Sequence, residues 1–542
     1  MVSARPVYLR PDVRAEPLFN RWYAWPYLIP PVTASLYVAH SHLPILRSYL
    51  ADPAAHVTAA ARREGGLGRP IVGYLSERVA EMQELLRDTL TGQARLLTLA
   101  ADIVALDELL QRRGRGGSLD ALYREVPPTL RGHVELVYDL RSRPSVRLIE
   151  GLLYRGDLYQ RQHQRIGLAV MRSDDRLGAL ATPRLPGNDE LQLPLAFDHP
   201  AVDALFQMRL TPRPLGALLE QMALPAAATA GLDRLFTDAA PPPTPRFAGP
   251  GARVRYFGHA CVLIESARTA ILVDPIVSYR YPTDLPRFDL CDLPARIDYV
   301  LLTHSHEDHT HLETLLQLRS RIGTVVVPKN SGGSLHDPSL RLLLQAMGFG
   351  SVVEVDELDE IATADGSIQV LPFLGEHGDL GVRSKCAYLV RAAGPSILLV
   401  ADSNNVDPTL YERLHGWTGD VDVLFVGMEC EGSPLTALYG AMLHPPLEPW
   451  QERERRFAGS DCERAWDLVE RFRCKRAFVY ALGQEPWLFY VMSLVYTPDS
   501  LPIVESDRFV ARCRAHGIES ERLFGQKELV LPAPATSQEK PW

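Results

Sequence analysis

Apolar and polar positions follow two different rhythms along this chain. In "SERVAEMQELLRDTL", Val79, Met82, Leu85, Leu86 and Leu90 recur every three to four residues. That spacing lays them on one face of a helix, and Ser76 stands where an N-terminal cap belongs. "LLTLAADIVALDELLQRRG" continues the helical period and stops at Gly114. Extended pieces such as "LQLPLAF" add a few strands, and the aromatic strip "FNRWYAWPYLIPP" suits either an interface or a core. The run "APPPTPRFAGPG" then breaks the pattern, because consecutive prolines continue neither helix nor central strand. Beyond it, short β-rich runs recur: "RVRYFGHACVLIES", "TAILVDP", "DYVLLTH", "GTVVVPK", "SIQVLPFLG", "AYLVRA", "SILLVADS", "DVLFVGME" and "RAFVYALG". Helical stretches such as "DPSLRLLLQAMG" and "CERAWDLVERF" lie between them. The pattern predicts a largely helical, mixed α/β N-terminal domain over 1–240, a linker over 241–252, and a layered α/β domain over 253–542.

Composition narrows the function classes. A chain of 542 residues with 46% apolar and 23% charged residues is an ordinary globular protein of more than one core. Its net charge of −9 disfavours nucleic acid as a partner, since phosphate binding needs a clustered basic surface. The seven cysteines all follow residue 260, are odd in number and form no CxxC pair. A disulfide framework or zinc ribbon is therefore not expected, and a reducing cytoplasm is. The first residues lack the apolar core of a signal peptide, and prolines interrupt "WYAWPYLIPPVTASLYV", so no membrane span is expected.

The chemistry concentrates in "LLTHSHEDHTHLETL". A strand runs into an extended loop bearing His304 and His306, and Asp308 and His309 follow at the start of a helix. Such a loop offers two ligands to each of two neighbouring metal ions. Further polar residues close later strands: Glu376 with His377 in "PFLGEHGDLG", Asp402 in "LLVADSNN", and Glu429 in "VGMEC". Adjacent side chains on an extended segment point opposite ways, so Glu376 and His377 cannot both face one ion. His377 would make a zinc-type site and Glu376 a more carboxylate-rich one. His311 is expected to face away from the site, and His336 to serve a turn.

The HxHxDH pattern at His304–His309, with "RYFGHACVLIESARTAILVDPIVS" before it, resembles the metallo-β-lactamase superfamily. That resemblance implies an αββα sandwich with a dinuclear site at the sheet edges. The preceding domain and the constellation as a whole resemble one branch, the diiron β-hydroxylases of the kind serving chloramphenicol biosynthesis. Those enzymes use glutamate as the third ligand. The resemblance implies His304, His306 and Glu376 on the first iron, Asp308, His309 and His444 on the second, and Asp402 bridging. Asp274, His259 and Glu429 become candidates to orient the ligands. Trp450, Trp487 and Tyr490 become candidates for a substrate pocket.

By the same resemblance, the reaction is O₂-dependent β-hydroxylation of an aromatic amino acid tethered as a thioester to a peptidyl carrier protein. No GxGxxG fingerprint or iron–sulfur cysteine pattern is present in the sequence, so an external reductase is expected to supply electrons. The N-terminal domain would support a homodimer and carrier access. The alternative is a dinuclear zinc hydrolase of phosphodiesterase, lactonase or phospholipase D-like type, with His377 on zinc.

Overall fold

The computed structural model describes residues 5–61, 71–187, 190–242 and 244–533. In the C-terminal part, two seven-stranded sheets lie face to face. The first orders Val352–Val355, Ile322–Pro328, Ile297–Leu301, Ala270–Val273, Val262–Glu265, Ala252–Tyr256 and Lys527–Leu531. The second orders Glu360–Ala362, Gly366–Leu371, Ala387–Ala392, Ser396–Leu399, Val423–Gly427, Arg476–Tyr480 and Glu519–Arg522. The nine runs read from the sequence all supply these strands. The short strands Val352–Val355, Glu360–Ala362, Glu519–Arg522 and Lys527–Leu531 were not among the predicted runs, because their exposed edge positions break the apolar pattern.

Apolar side chains fill three layers. Val254, Ile264, Val273 and Leu301 meet Val370, Tyr388, Leu399 and Phe425 between the sheets. Leu389, Leu398, Leu424 and Val479 face away from that layer and pack under the helices Cys462–Arg471 and Leu501–Ala515. Strands covered on both faces read as unbroken apolar runs, which explains "AILV" and "VLFV".

The outer face of the first sheet is covered in large part by the N-terminal half. One continuous cluster joins Leu9, Trp22, Tyr27 and Phe197 to Leu272, Val300, Leu315 and Val327. The N-terminal half has its own topology but shares this core, so the expected separateness does not extend to packing. It carries more strand than predicted: Val13–Phe19 pairs with Gln164–Val170 in a four-stranded antiparallel sheet. The predicted helices are present as Val79–Gly92 and Ala94–Arg113. Ser76 does not cap the first; it opens a short 3₁₀ turn, Ser76–Arg78, and the α-helix starts without a side-chain cap. The expected linker has no helix or strand before Ala252 among its described residues, and Pro243 lies outside them. No helix among the described residues is long and apolar enough to cross a membrane.

Charge fastens the two halves. Arg176 Nη2 lies 2.7 Å from Glu16 Oε1 and 2.7 Å from Glu313 Oε2, and Arg184 Nε lies 2.7 Å from Glu16 Oε2. All four side chains are buried. The Arg176 guanidinium also stacks 3.5 Å from the Tyr490 ring centre. Burial disfavours the Glu16 charge, yet Arg184, Arg14 and Arg176 hold its carboxyl well below the usual range. Arg176→Ala leaves Glu313 without this ion pair and Glu16 with one fewer. It should cost about 3–5 kcal/mol, read as a lower urea midpoint with an unchanged slope.

Candidate dinuclear metal centre

The loop after strand Ile297–Leu301 is folded by its own hydrogen bonds. Thr310 Oγ1 donates to the His304 carbonyl at 2.6 Å, and Thr310 N donates to the His306 carbonyl at 2.7 Å. This turn brings the His304 ring centre to 4.7 Å from His306 and 4.0 Å from His309. The helix begins only at Leu312, with His311 as its cap accepting from Thr314 N. Asp308 and His309 therefore sit in the turn before the helix rather than on its first residues.

Donor atoms converge in three overlapping sets, each within 4.8 Å: His304, His306 and Glu376; His304, His309 and Asp402; His259, Asp308 and His309. Asp402 Oδ2 is 3.0 Å from His309 Nε2 and 3.6 Å from His304 Nε2, so it lies between the first and third sets. Glu376 Oε1 is 3.1 Å from His306 Nδ1. His377 is buried, with Nδ1 3.0 Å from the Tyr439 hydroxyl and Nε2 2.9 Å from Glu376 Oε2; the left-handed backbone here brings the two adjacent side chains together, where an extended segment would have pointed them apart. The His377 backbone N–H donates to Glu376 Oε2 at 2.9 Å.

His444 is not among these donors. The chain between Pro434 and Arg456 forms a strap that loops outward, leaving the His444 side chain 46% exposed, with Nε2 3.9 Å from Glu108. Its place beside Asp308 and His309 is taken by His259, whose Nε2 is 2.9 Å from Asp308 Oδ2. The tight turn Phe257–Cys261 delivers His259, with Phe257 N donating to the Cys261 carbonyl at 2.9 Å.

Strand-end backbone strain accompanies the donors. His259, Asp274, Glu376 and Ala401 adopt left-handed φ of 48°, 40°, 57° and 47°. Such positions cost of order 1–3 kcal/mol each and persist only where surrounding structure holds them. Gly375, His377, Gly378 and Asp379 are left-handed as well. A Cβ on Gly375 would stand 2.4 Å from Asn404 Cβ, so only glycine passes there. Lys385 Nζ holds the Gly375 carbonyl at 2.7 Å, and Arg455 Nε holds that of Gly378 at 2.9 Å.

Asp274 orients the centre from behind. Its Oδ2 lies 2.8 Å from His309 Nδ1, and its Oδ1 accepts from Thr303 N at 2.8 Å. Burial opposes charge throughout. Even so, Asp402, Asp308 and Asp274 raise His309 well above the ordinary imidazole range. His309 and His259 likewise carry Asp308 below the carboxylate range. His304 is driven well below its usual value by burial and by His309 and His306. Burial and Asp308 push buried Glu307 up to about 7. Glu429, near Asp402 and Asp308, is raised well above its usual value, first by burial and then by those carboxylates.

The residues fit a pair of metal ions. His304 Nε2, His306 Nε2, His309 Nε2 and Asp402 Oδ1 are buried without any hydrogen-bond partner. Buried polar atoms are normally paired, and those of His304, His309 and Asp402, which converge in one donor set, are what a bound cation would satisfy.

The N-terminal half reaches this centre, a feature the aromatic strip carried without revealing its role. The Tyr27 hydroxyl is 3.1 Å from Ser305 Oγ and 3.0 Å from the Tyr439 hydroxyl. His311 stands outside the donor sets, as expected, and is buried; its Nε2 is 2.8 Å from the Tyr23 hydroxyl and 2.7 Å from that of Tyr490. His336 stays in its turn, within 3.2 Å of Ser334 Oγ. A cavity of about 930 Å³ opens between the halves, lined by Trp25, Tyr37, His40, Arg176, Phe489 and Tyr496. Trp487 and Tyr490 are core residues instead, and Trp450 is 59% exposed.

Comparison with known proteins agrees with this architecture. Residues 8–241 match the diiron non-heme beta-hydroxylase N-terminal domain, and 269–446 match the beta-lactamase superfamily domain. The 4-amino-L-phenylalanyl-[CmlP-peptidyl-carrier-protein] 3-hydroxylase of Streptomyces venezuelae is 37% identical over 530 residues, covering 96% of this chain and 99% of that protein. The crystal structure of CmlA, a diiron beta-hydroxylase from Streptomyces venezuelae, superposes with a TM-score of 0.91 at 36% identity, covering 98% of this chain and all of that one. A UPF0173 protein of Pyrococcus furiosus is 32% identical over 125 residues, 23% of this chain and 49% of that protein. With the N-terminal domain, the lactamase-type sandwich and nearly the whole length of the chain matched, the chain belongs to the family of diiron non-haem β-hydroxylases.

Proposed function

We propose that this enzyme hydroxylates the β-carbon of an aromatic amino acid tethered as a thioester to a peptidyl carrier protein, with electrons from a separate reductase. The observation that carries the reading is Glu376, whose carboxylate converges with His304 and His306 in one donor set, while His377 Nδ1 meets Tyr439 and its Nε2 lies 2.9 Å from Glu376 Oε2. The related Streptomyces enzyme, named for a carrier-bound aminoacyl substrate, supports the substrate class. A hydrolase reading would need His377 as the donor.

In this proposal, His304, His306 and Glu376 hold the first iron, Asp308, His309 and His259 the second, and Asp402 lies between. Iron at these positions supplies the binding and reductive activation of O₂. The chain's own residues set the conditions. Asp274 accepts the Nδ1 proton of His309 and so leaves Nε2 as the free donor. Glu376 adds negative charge beside the first position, which favours a higher metal oxidation state. Trp25, Tyr37 and Phe489 give the cavity aromatic walls suited to an aromatic side chain.

Purified protein should contain about two iron ions per chain and show iron-dependent absorption; a full zinc complement without such absorption overturns the reading. Glu376→Ala should abolish turnover and lower iron content, whereas His377→Ala should keep iron loading largely intact. The opposite ranking moves the ligand to His377. Asp274→Ala should weaken iron binding about 10–100-fold, measured by chelator competition.

A further inference from the structure

The strap Pro434–Arg456 contributes Thr436, Gly440, Ala441 and Glu452 to one wall of the cavity. Beyond Ala441 it turns outward and carries the exposed Trp450. His444 on its apex faces Glu108, which in turn lies 3.5 Å from Arg112 one helical turn later. That helix stops at Gly114, so close to Pro144 that an added Cβ would sit 2.6 Å from the proline Cβ. Pro144 opens the second strand of a hairpin, Val134–Tyr138 with Pro144–Leu148, which pairs with no other strand among the described residues. The hairpin tip leaves Leu140 fully exposed, at 107%. Strap, helix end and hairpin thus form one rim, which reaches the cavity through the strap.

The chemistry of this rim departs from that of the whole chain. In a protein of net charge −9, its helix end and hairpin tip gather Arg112, Arg113, Arg115, Arg141 and Arg143, of which Arg112 pairs with Glu108 and Arg113 with Glu125. Cations suit the last turn of a helix, which accounts for Arg112 and Arg113. It does not account for Arg141 and Arg143 on a separate hairpin. Arg115 and Arg141 have no ion-pair partner among the described residues, and the Asp139 carboxylate between strand and tip accepts from the backbone N–H of Arg141 and Arg143, at 2.8 Å each. Nor does helix electrostatics explain a tryptophan and a leucine held in water.

We propose that this rim is the docking surface for the carrier protein, an acidic partner with an apolar centre around its thioester arm. The proposal rests on the tethered-substrate reading. A tethered amino acid reaches buried donors only if the protein bearing it stops close by, and through the strap this rim joins the cavity whose lining residue Glu485 also holds the backbone of His259. Tryptophan and arginine are the side chains that dominate binding at interfaces, and basic rims steer acidic partners into place. A delivery contact that forms and releases each turnover needs only a modest area.

The test uses full-length holoenzyme, an aminoacyl-loaded carrier protein, and the same aminoacyl group on carrier-free pantetheine. Trp450→Ala should weaken carrier binding about tenfold. Arg115→Glu with Arg141→Glu should slow association and flatten its salt dependence. Both variants should turn over the pantetheine thioester like wild type, with iron content and absorption unchanged. Carrier affinity equal to wild type in both variants overturns the rim. So does a loss of self-association in sedimentation with carrier affinity intact, which would assign the face to a second copy of this chain. Equal turnover of carrier-bound and carrier-free substrate by wild type overturns the tethered-substrate reading itself.

Discussion

The architecture depends on a buried chain of charge: Arg184 to Glu16, Glu16 to Arg176, Arg176 to Glu313. Glu16 lies on a strand of the N-terminal half, and Glu313 opens the helix that directly follows the metal-site loop. A buried carboxylate is tolerable only with its partner in place, so the two halves settle in one relative position. Tyr279 and Tyr23 close the arrangement, their hydroxyls donating to Glu313 at 2.5 Å and 3.0 Å. The loop bearing His304–His309 is thereby held between a sheet edge and a helix whose first turn is pinned from the other half of the molecule.

Around the donors the same logic recurs on a smaller scale. Each face of the centre has a group fixed from outside it: Asp274 behind His309, Tyr439 behind His377, Glu485 beneath the turn bearing His259. Glu485 Oε1 accepts from the Tyr256 hydroxyl at 2.5 Å and lies 3.3 Å from His259 N. Four imidazoles and three carboxylates brought this close would repel or trade protons unless a cation or a supporting shell intervened. The opposed shifts of His309 and Asp308 record that tension.

Much of this was legible in the sequence where local pattern and chemistry coincide. Strand runs ending in His304, Glu376 and Asp402 announced a sheet-edge site, and the strands formed where the apolar runs lie. Two failures have physical causes. His444 follows Asp402 in chain order, yet the strap carries it outward, because order along a chain does not fix direction in space. His259 sits 49 residues before Asp308, and nothing in "FGHA" signals that a five-residue turn would swing its ring into the cluster. The N-terminal contribution was hidden for another reason: the aromatic strip looks the same whether it fills a core or backs a catalytic loop, and here it does both.

The run of left-handed residues from Gly375 to Asp379 bears on the order of assembly. Such a segment has no intrinsic tendency to form, so it takes shape only after its holders are in position. Lys385 comes from just before strand Ala387–Ala392, Arg455 from the far end of the strap, and Tyr439 from near the strap's start, itself propped by Tyr27 in the N-terminal half. The histidine loop can close on local hydrogen bonds, but the Glu376 carboxylate arrives only when both halves and the strap have docked. The centre thus depends on its most distant contacts: whatever loosens the strap or the N-terminal half bears first on the carboxylate that marks the family's chemistry, and only then on the locally closed imidazoles.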